Sequence, residues 1–268
     1  LAERMVGRSI SNLYAARRGE PGRELLRVEK LSRYGFFHDV SFHVREGEIL
    51  GLAGLSGAGR SELARSLCGI DPVDAGCIRL NGRTLRPGST QAAIRAGLAY
   101  LTEDRKQQGL ASRLGMGENV LSALTPRHCA FGVYLAGRAR GLLGSLIGSL
   151  EIHPPEPKRT MSTFSGGNQQ KALLAKWLAT SPEVLILDEP TRGVDVGAKV
   201  IIHKAIAELA DAGKSVVLIS SDLPELVGLS DRIVVMRKGH LIGEMARADC
   251  TEASVLLAAN GEGELLPA

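Results

Sequence analysis

The sequence predicts an α/β fold with a mostly parallel, helix-covered sheet, and three observations predict it. Short apolar runs (Gly47–Ala53, Val184–Leu187 and Ser215–Ser220) alternate with longer stretches of helical character, the pattern of buried strands laid between helices. The first of these runs enters a glycine-rich turn that leads into a helix. The composition is 44% hydrophobic but only 4% aromatic, rich in small and aliphatic residues, which suits close packing of helices on strands. A chain of 268 residues has room for one large domain or two modest ones.

Taken in order, residues 1–22 are polar and lack sustained periodicity, so they read as a linker. Leu26–Glu29, Val40–Val44 and Gly47–Ala53 read as strands, and Glu62–Leu67 as the helix after the glycine turn. Cys77–Asn81 reads as a strand ending in the Asn81-Gly82 turn, and Ala99–Thr102 as another short strand. Residues 104–162 change character. They are rich in Gly, Arg and Leu and are interrupted by Pro126, Pro154, Pro155 and Pro157, which predicts a helical insertion in pieces. A helix follows from Gly166 to about Ala179, then the Val184–Leu187 strand, a helix over Val196–Ala212 and the Ser215–Ser220 strand. Ile233–Met236 and Leu241–Glu244, joined through Lys238-Gly239, predict a final hairpin; residues 246–268 read as an acidic, partly helical tail.

The net charge of +4 is mild, and no Arg/Lys block is interleaved with aromatics, so nucleic-acid binding has little support. Cys68, Cys77, Cys129 and Cys250 are scattered without paired spacing, which predicts reduced thiols in a cytosolic protein. His128 and Cys129 are adjacent but lack a second ligand pair, so no zinc site is expected. The apolar stretch Leu142–Leu150 is far short of the roughly 20 residues that span a bilayer. The first methionine is Met5, which predicts a piece of a longer chain.

Three segments carry chemistry. In Gly54–Ser61, glycines at 54, 57 and 59 let backbone N–H groups converge on phosphate oxygens while the following helix points its positive end at them; Ser61 is placed to offer its hydroxyl to magnesium. Arg60 stands where such loops carry lysine. Its forked guanidinium does not replace a slim ammonium at a tight site, so nucleotide binding is expected and turnover is in doubt. Ser165, Gly166 and Gly167 open a helix. Alone they read as an ordinary serine cap; with Asn168–Lys171 behind them they read as a second anion-binding surface facing outward. Asp188 ends an apolar strand, where a magnesium partner at the carboxyl edge of a sheet belongs, and Glu189 is placed to orient or deprotonate an attacking water. The plainer reading of Asp188-Glu189-Pro190 is a turn at a strand end.

Phe164–Lys171 resembles the signature segment of ABC proteins, and Val184–Glu189 resembles their Walker B strand. With Gly54–Glu62, Thr102–Leu110 and Asp188–Lys199, the chain resembles an ABC transporter ATP-binding protein over nearly its full length. It is most similar to the carboxy-terminal domain of the tandem ATPases that serve bacterial monosaccharide importers. Glu3–Arg8 looks like the tail of their first domain.

That resemblance implies a P-loop NTPase core of ABC type, with an antiparallel β subdomain and an inserted helical subdomain over 104–162, the nucleotide-binding domain running over 23–268. It implies ATP and Mg2+ as ligands, Gly54, Ser56, Gly57, Ala58, Gly59, Arg60, Ser61 and Glu62 on the phosphate side, and Ser165, Gly166, Gly167, Gln169 and Asp195 on the face shared with a second domain. Ser61 and Asp188 are the metal residues. Glu189, Glu103 and Ser221 are the catalytic positions, with Glu103 standing where the family carries a glutamine and Ser221 where it carries a histidine. Because ABC domains pair head to tail, the departures at Arg60, Glu103 and Ser221 imply a weak or regulatory site of its own and a signature lent to the partner domain's site. The implied partners are that second domain, membrane permease subunits at the helical subdomain and the Glu103 loop, and indirectly a sugar-binding protein; the implied place is the cytoplasmic face of the membrane. Nucleoside import and a non-hydrolysing regulatory module are the alternatives. A DNA-repair or translation ABC protein would need a coiled-coil insertion that residues 104–162 are too short and Gly-broken to form. An adenine-stacking aromatic among Tyr34, Phe36 and Phe37 stays open, since each could equally be core.

Overall fold

The computed structural model describes residues 21–86, 88–124, 129–130, 133–134 and 136–262. The linker segment up to residue 20, Glu3–Arg8, Pro126, His128 and the end of the tail from 263 lie outside the described residues. The chain forms two compact units. Among the described residues the larger takes 21–100, Glu183–Glu189 and 207–262; the smaller takes Leu101–Pro182 and Pro190–Ile206.

The chain begins with an antiparallel pair, β1 (Glu24–Arg33) and β2 (Phe37–Arg45), in register at Val28 and Phe42. In β2 the buried Val40, Phe42 and Val44 alternate with more exposed residues, as strands with one covered face do, whereas β1 buries the adjacent pairs Leu25-Leu26 and Leu31-Ser32 and carries register shifts. β3 (Ile49–Ala53) is buried along its whole length and runs through the glycine loop into α1 (Arg60–Leu67). β4 (Ala75–Leu80) and β5 (Arg83–Thr84) follow, joined at Asn81-Gly82, where both residues have positive φ (51° and 72°), the two-residue hairpin turn that Asn-Gly favours. α2 (Thr90–Ala96) was not expected from the sequence; Ser89 caps its first turn by accepting from the Ala92 N–H at 3.2 Å, and Gly97 ends it. β6 (Leu98–Leu101) closes this stretch.

In the smaller unit Asp104 accepts from the Lys106 and Gln107 amides and opens a wide turn over Arg105–Gly109. α3 (Met116–Leu121) comes next. Between it and α4 (Ala136–Ser149) lies a two-residue hairpin, β7 (Cys129–Ala130) with β8 (Val133–Tyr134), where the sequence reading had helical pieces only. α5 (Gly166–Leu178) begins at Ser165 as expected. Asn119 is buried and knits α3 to the preceding loop, accepting from Ala111 N–H and donating to the Ala111 and Gly115 carbonyls.

β9 (Val184–Asp188), α6 (Val196–Asp211), β10 (Ser215–Ile219), α7 (Leu223–Leu229), β11 (Arg232–Arg237), β12 (His240–Ala246) and α8 (Glu252–Asn260) complete the chain. One sheet has the order β2-β1-β4-β5. The other has the order β12-β11-β3-β10-β9-β6. Parallel pairing of β3 with β10 and β11, and of β10 with β9, makes the second sheet mostly parallel, with β12 antiparallel at its edge. β9 and β10, like β3, are buried end to end, which explains why they read as unbroken apolar runs rather than alternating ones. Ile219 registers with Asp188, so the parallel strands deliver their carboxyl ends to one edge. The core of this unit joins Leu50, Leu52, Ile186, Val217 and Val234 with Leu63 and Leu67 of α1 and with Leu26, Val28 and Phe42 of the antiparallel sheet. Cys68, Cys77 and Cys250 are free thiols. Among the described residues no helix is long and apolar enough to cross a membrane.

Candidate functional site

The larger unit holds the glycine loop and the carboxylates. Gly54 leaves β3 at φ 155°, and a Cβ there would lie 2.5 Å from the Met236 carbonyl oxygen, so no side chain fits. Gly59 caps α1 at φ 98°, where a Cβ would lie 2.9 Å from the Phe36 oxygen. Between them Ala58 is buried, while Ser56 and Gly57 are exposed. The loop is tied to both sheets in series: the Gly239 N–H donates to the Ala58 carbonyl at 3.1 Å, and the His38 N–H donates to the Gly239 carbonyl at 2.8 Å. The Glu62 carboxylate pairs with Arg65 at 3.2 Å, one helical turn on, and Arg65 also holds Asp71.

Asp188 is 1% exposed. Tyr100 donates its hydroxyl to Oδ2 of Asp188 at 2.8 Å, and Oδ1 is buried without a hydrogen-bond partner. Burial pushes this carboxyl above the usual carboxylate range, opposed by hydrogen bonds from Tyr100 and Ser61 and by the Arg60 charge. Ser61 and Asp188, the two residues expected to hold a metal, therefore meet.

Arg60 lies among acids. Burial lowers its pKa, while Glu189, Asp188 and Glu62 pull it back up, and its Nη1 donates to the Ser220 carbonyl at 3.4 Å. The neighbouring Ser221 donates its hydroxyl to Oε2 of Glu189 at 2.9 Å. Glu189 itself takes a positive φ of 51°, held by its N–H donating to the Ile219 carbonyl at 2.9 Å. A non-glycine residue in this region stores strain, and such residues collect at functional sites. The loop amides can thus take an anion, and an unsatisfied buried carboxylate oxygen beside a serine hydroxyl fits a hard divalent cation such as Mg2+.

The smaller unit holds the signature residues. Ser165 is exposed and caps α5; its Oγ accepts from the Asn168 side chain at 3.0 Å and from the Asn168 N–H at 3.4 Å. A Cβ on Gly167 would lie 3.0 Å from an Asp195 carboxylate oxygen, so Asp195 packs on the signature turn while its Oδ1 caps α6 through the Ala198 N–H at 2.9 Å. A Cβ on Gly166 would meet the Arg105 guanidinium. Gln169 turns back, donating to the Phe164 carbonyl at 3.0 Å. Glu103 is ion-paired with Arg192, and Arg105 donates to the Arg192 and Gly193 carbonyls. Of the three candidate stacking aromatics, Phe37 is fully buried, whereas Tyr34 and Phe36 are exposed and the Arg33 guanidinium lies 4.1 Å over the Phe36 ring. Sequence reasoning missed Tyr100, whose only signal was a hydroxyl in an otherwise apolar strand.

The ABC transporter family model matches residues 37–192. The chain belongs to the ABC transporter family. Its likeness to solved ABC structures extends this to the fold. A nucleotide-free ATP-binding cassette from an ABC transporter superposes with a TM-score of 0.73 at 21% identity, covering 88% of this chain and 95% of that one. An ATP-binding cassette solved as a post-hydrolysis dimer with ADP and Pi gives 0.71 at 19% identity, covering 83% and 99%. The ABC chain is also similar to whole proteins of known name. It is 45% identical over 97% of its length to "Ribose import ATP-binding protein RbsA" of Rhodococcus jostii, covering 52% of that protein. It is 49% identical over 98% of its length to "Ribose import ATP-binding protein RbsA 3" of Rubrobacter xylanophilus, covering 53%. A "Putative ribose/galactose/methyl galactoside import ATP-binding protein 3" of Agrobacterium fabrum is 46% identical over 96% of the chain and 52% covered. The ABC chain spans about half the length of the curated relatives it matches.

Proposed function

We propose that this chain is the carboxy-terminal nucleotide-binding domain, over 23–268 and with a helical subdomain at 104–162, of a tandem ATPase that powers import of a monosaccharide of the ribose or galactose kind. The observation that carries nucleotide binding is the meeting of Ser61 with the half-satisfied Asp188 beside the glycine loop. The transport class rests on the names of relatives at 45–49% identity. ATP with Mg2+ is the ligand: loop amides from Gly54 to Ser61 take the phosphates, Ser61 and Asp188 hold the metal, and the metal supplies charge neutralisation at the phosphates. Glu189 is the group placed to orient water. Ser165–Gly167, Gln169 and Asp195 serve the face toward the second domain. Permease subunits dock at the helical subdomain and the Glu103 loop, which puts the chain at the cytoplasmic face of the membrane.

The domain's own site binds nucleotide and turns it over poorly. Two contacts favour this reading: Arg60 is engaged by the Ser220 carbonyl, and Glu189 is engaged by the Ser221 hydroxyl, so both charged groups already have protein partners. The test is ATP binding and steady-state hydrolysis by this chain with magnesium, beside Glu189→Gln and Arg60→Lys. Binding with turnover no greater than that of Glu189→Gln is expected. Brisk hydrolysis by the parent, equal to that of Arg60→Lys, overturns the degenerate-site reading, and absence of binding overturns the nucleotide site itself.

A further inference from the structure

Tyr100 stands on β6, beside β9 in the mostly parallel sheet. Its hydroxyl donates to Oδ2 of Asp188 at 2.8 Å across 88 residues of sequence, in a contact closed to solvent. Both residues are buried, at 5% and 1% exposure. Oδ1 of the same carboxylate is buried and has no hydrogen-bond partner. The two oxygens are therefore inequivalent: one is held, and one is left open. Leaving a buried acceptor open is costly, and the asymmetry gives that cost a direction, because the open oxygen belongs to the carboxylate that Ser61 approaches.

We infer that Tyr100 is a positioning residue whose hydroxyl fixes the rotation of the Asp188 carboxylate, so that Oδ1 is the oxygen presented to a divalent cation bound with nucleotide. The inference rests on the nucleotide-binding reading given above. Hydrogen bonds behind a ligating carboxylate orient it. Phenylalanine at 100 keeps the ring and its packing but takes the Tyr100 hydroxyl from Oδ2 and so frees the carboxylate to turn. A merely structural hydroxyl would behave differently, since losing it would weaken nucleotide binding equally with and without metal.

The experiment titrates binding of a fluorescent ATP analogue to the 268-residue chain against Mg2+ and in EDTA, for the parent and Tyr100→Phe. Thermal melting of both proteins verifies that each is folded, and Mn2+ binding followed by electron paramagnetic resonance reads the metal directly. Tyr100→Phe is expected to hold the EDTA affinity within about twofold while raising the Mg2+ and Mn2+ midpoints by about 10-fold or more, the usual cost of losing such a partner. An unchanged metal midpoint, an equal loss with and without metal, or a parent that binds nucleotide with no metal dependence overturns the inference. A parent that binds no nucleotide under any condition instead sinks the reading beneath it.

Discussion

Burial and hydrogen bonding contend at Asp188, and burial wins, so its folded-state pKa lies above the unfolded value. The folded chain then holds this proton more tightly than the unfolded chain does. Stability falls as pH rises from the ordinary carboxylate value, about 3.9, to the raised folded one, and the full cost is present above it. Asp188→Asn is therefore expected to melt higher than the parent at neutral pH without nucleotide, with the difference shrinking as pH approaches about 4. A gap independent of pH, or one that grows on acidification, contradicts this. At this scale much was legible. Asp188 ends β9 and Ser61 lies in the first turn of the helix that the glycine loop joins to β3, and parallel strands bring their carboxyl ends to one edge. The hold of Ser220 on Arg60 and of Tyr100 on Asp188 was not legible, because each depends on which strand lies beside which, and side-chain chemistry alone does not say so.

Among the elements, the buried parallel strands and the long helices announced themselves by composition and period, while short helices defined by their caps did not. α7 has seven residues and little periodicity to detect. It starts because Asp222 accepts from the Glu225 N–H at 3.2 Å and because proline occupies its first turn, both signals present in the sequence as Asp222-Leu223-Pro224-Glu225. α2 is the same case, with Ser89 and Gly97 as its only punctuation. Asp222→Ala is expected to cost about 1 kcal/mol in urea denaturation, and Asp222→Asn or Ser to recover most of it; an alanine variant as stable as the parent rules out the cap as what starts the helix. The β7–β8 hairpin escaped for another reason: strands of two residues carry no alternation to read.

For the molecule, the sequence supplied the kinds of layer but not their order. That β3 sits between β10 and β11, and β9 beside β6, is set by crossover connections, which leave no trace in local composition. One residue shows how far apart in sequence the joined parts are. Gly239, in the β11–β12 turn at φ 81°, has no room for a side chain: a Cβ would lie 2.6 Å from the Phe36 oxygen and 3.1 Å from the Phe37 Cα. Gly239→Ala must bear a left-handed conformation, about 1–2 kcal/mol, as well as that collision with backbone. It is expected to lower the melting temperature and to weaken ATP binding together, measured by calorimetry on one preparation. Loss of stability with binding intact argues that the turn and the phosphate loop are independent.

The line of hydrogen bonds from His38 through Gly239 to Ala58 makes the phosphate loop one member of a linkage. A displacement of Ala58 along that line pulls first on the β11–β12 turn at Gly239 and, through it, on the start of β2 at His38, so the loop is tethered at its buried end. What compliance it has for receiving an anion lies at exposed Leu55, Ser56 and Gly57, the three residues between Gly54 and the anchored Ala58.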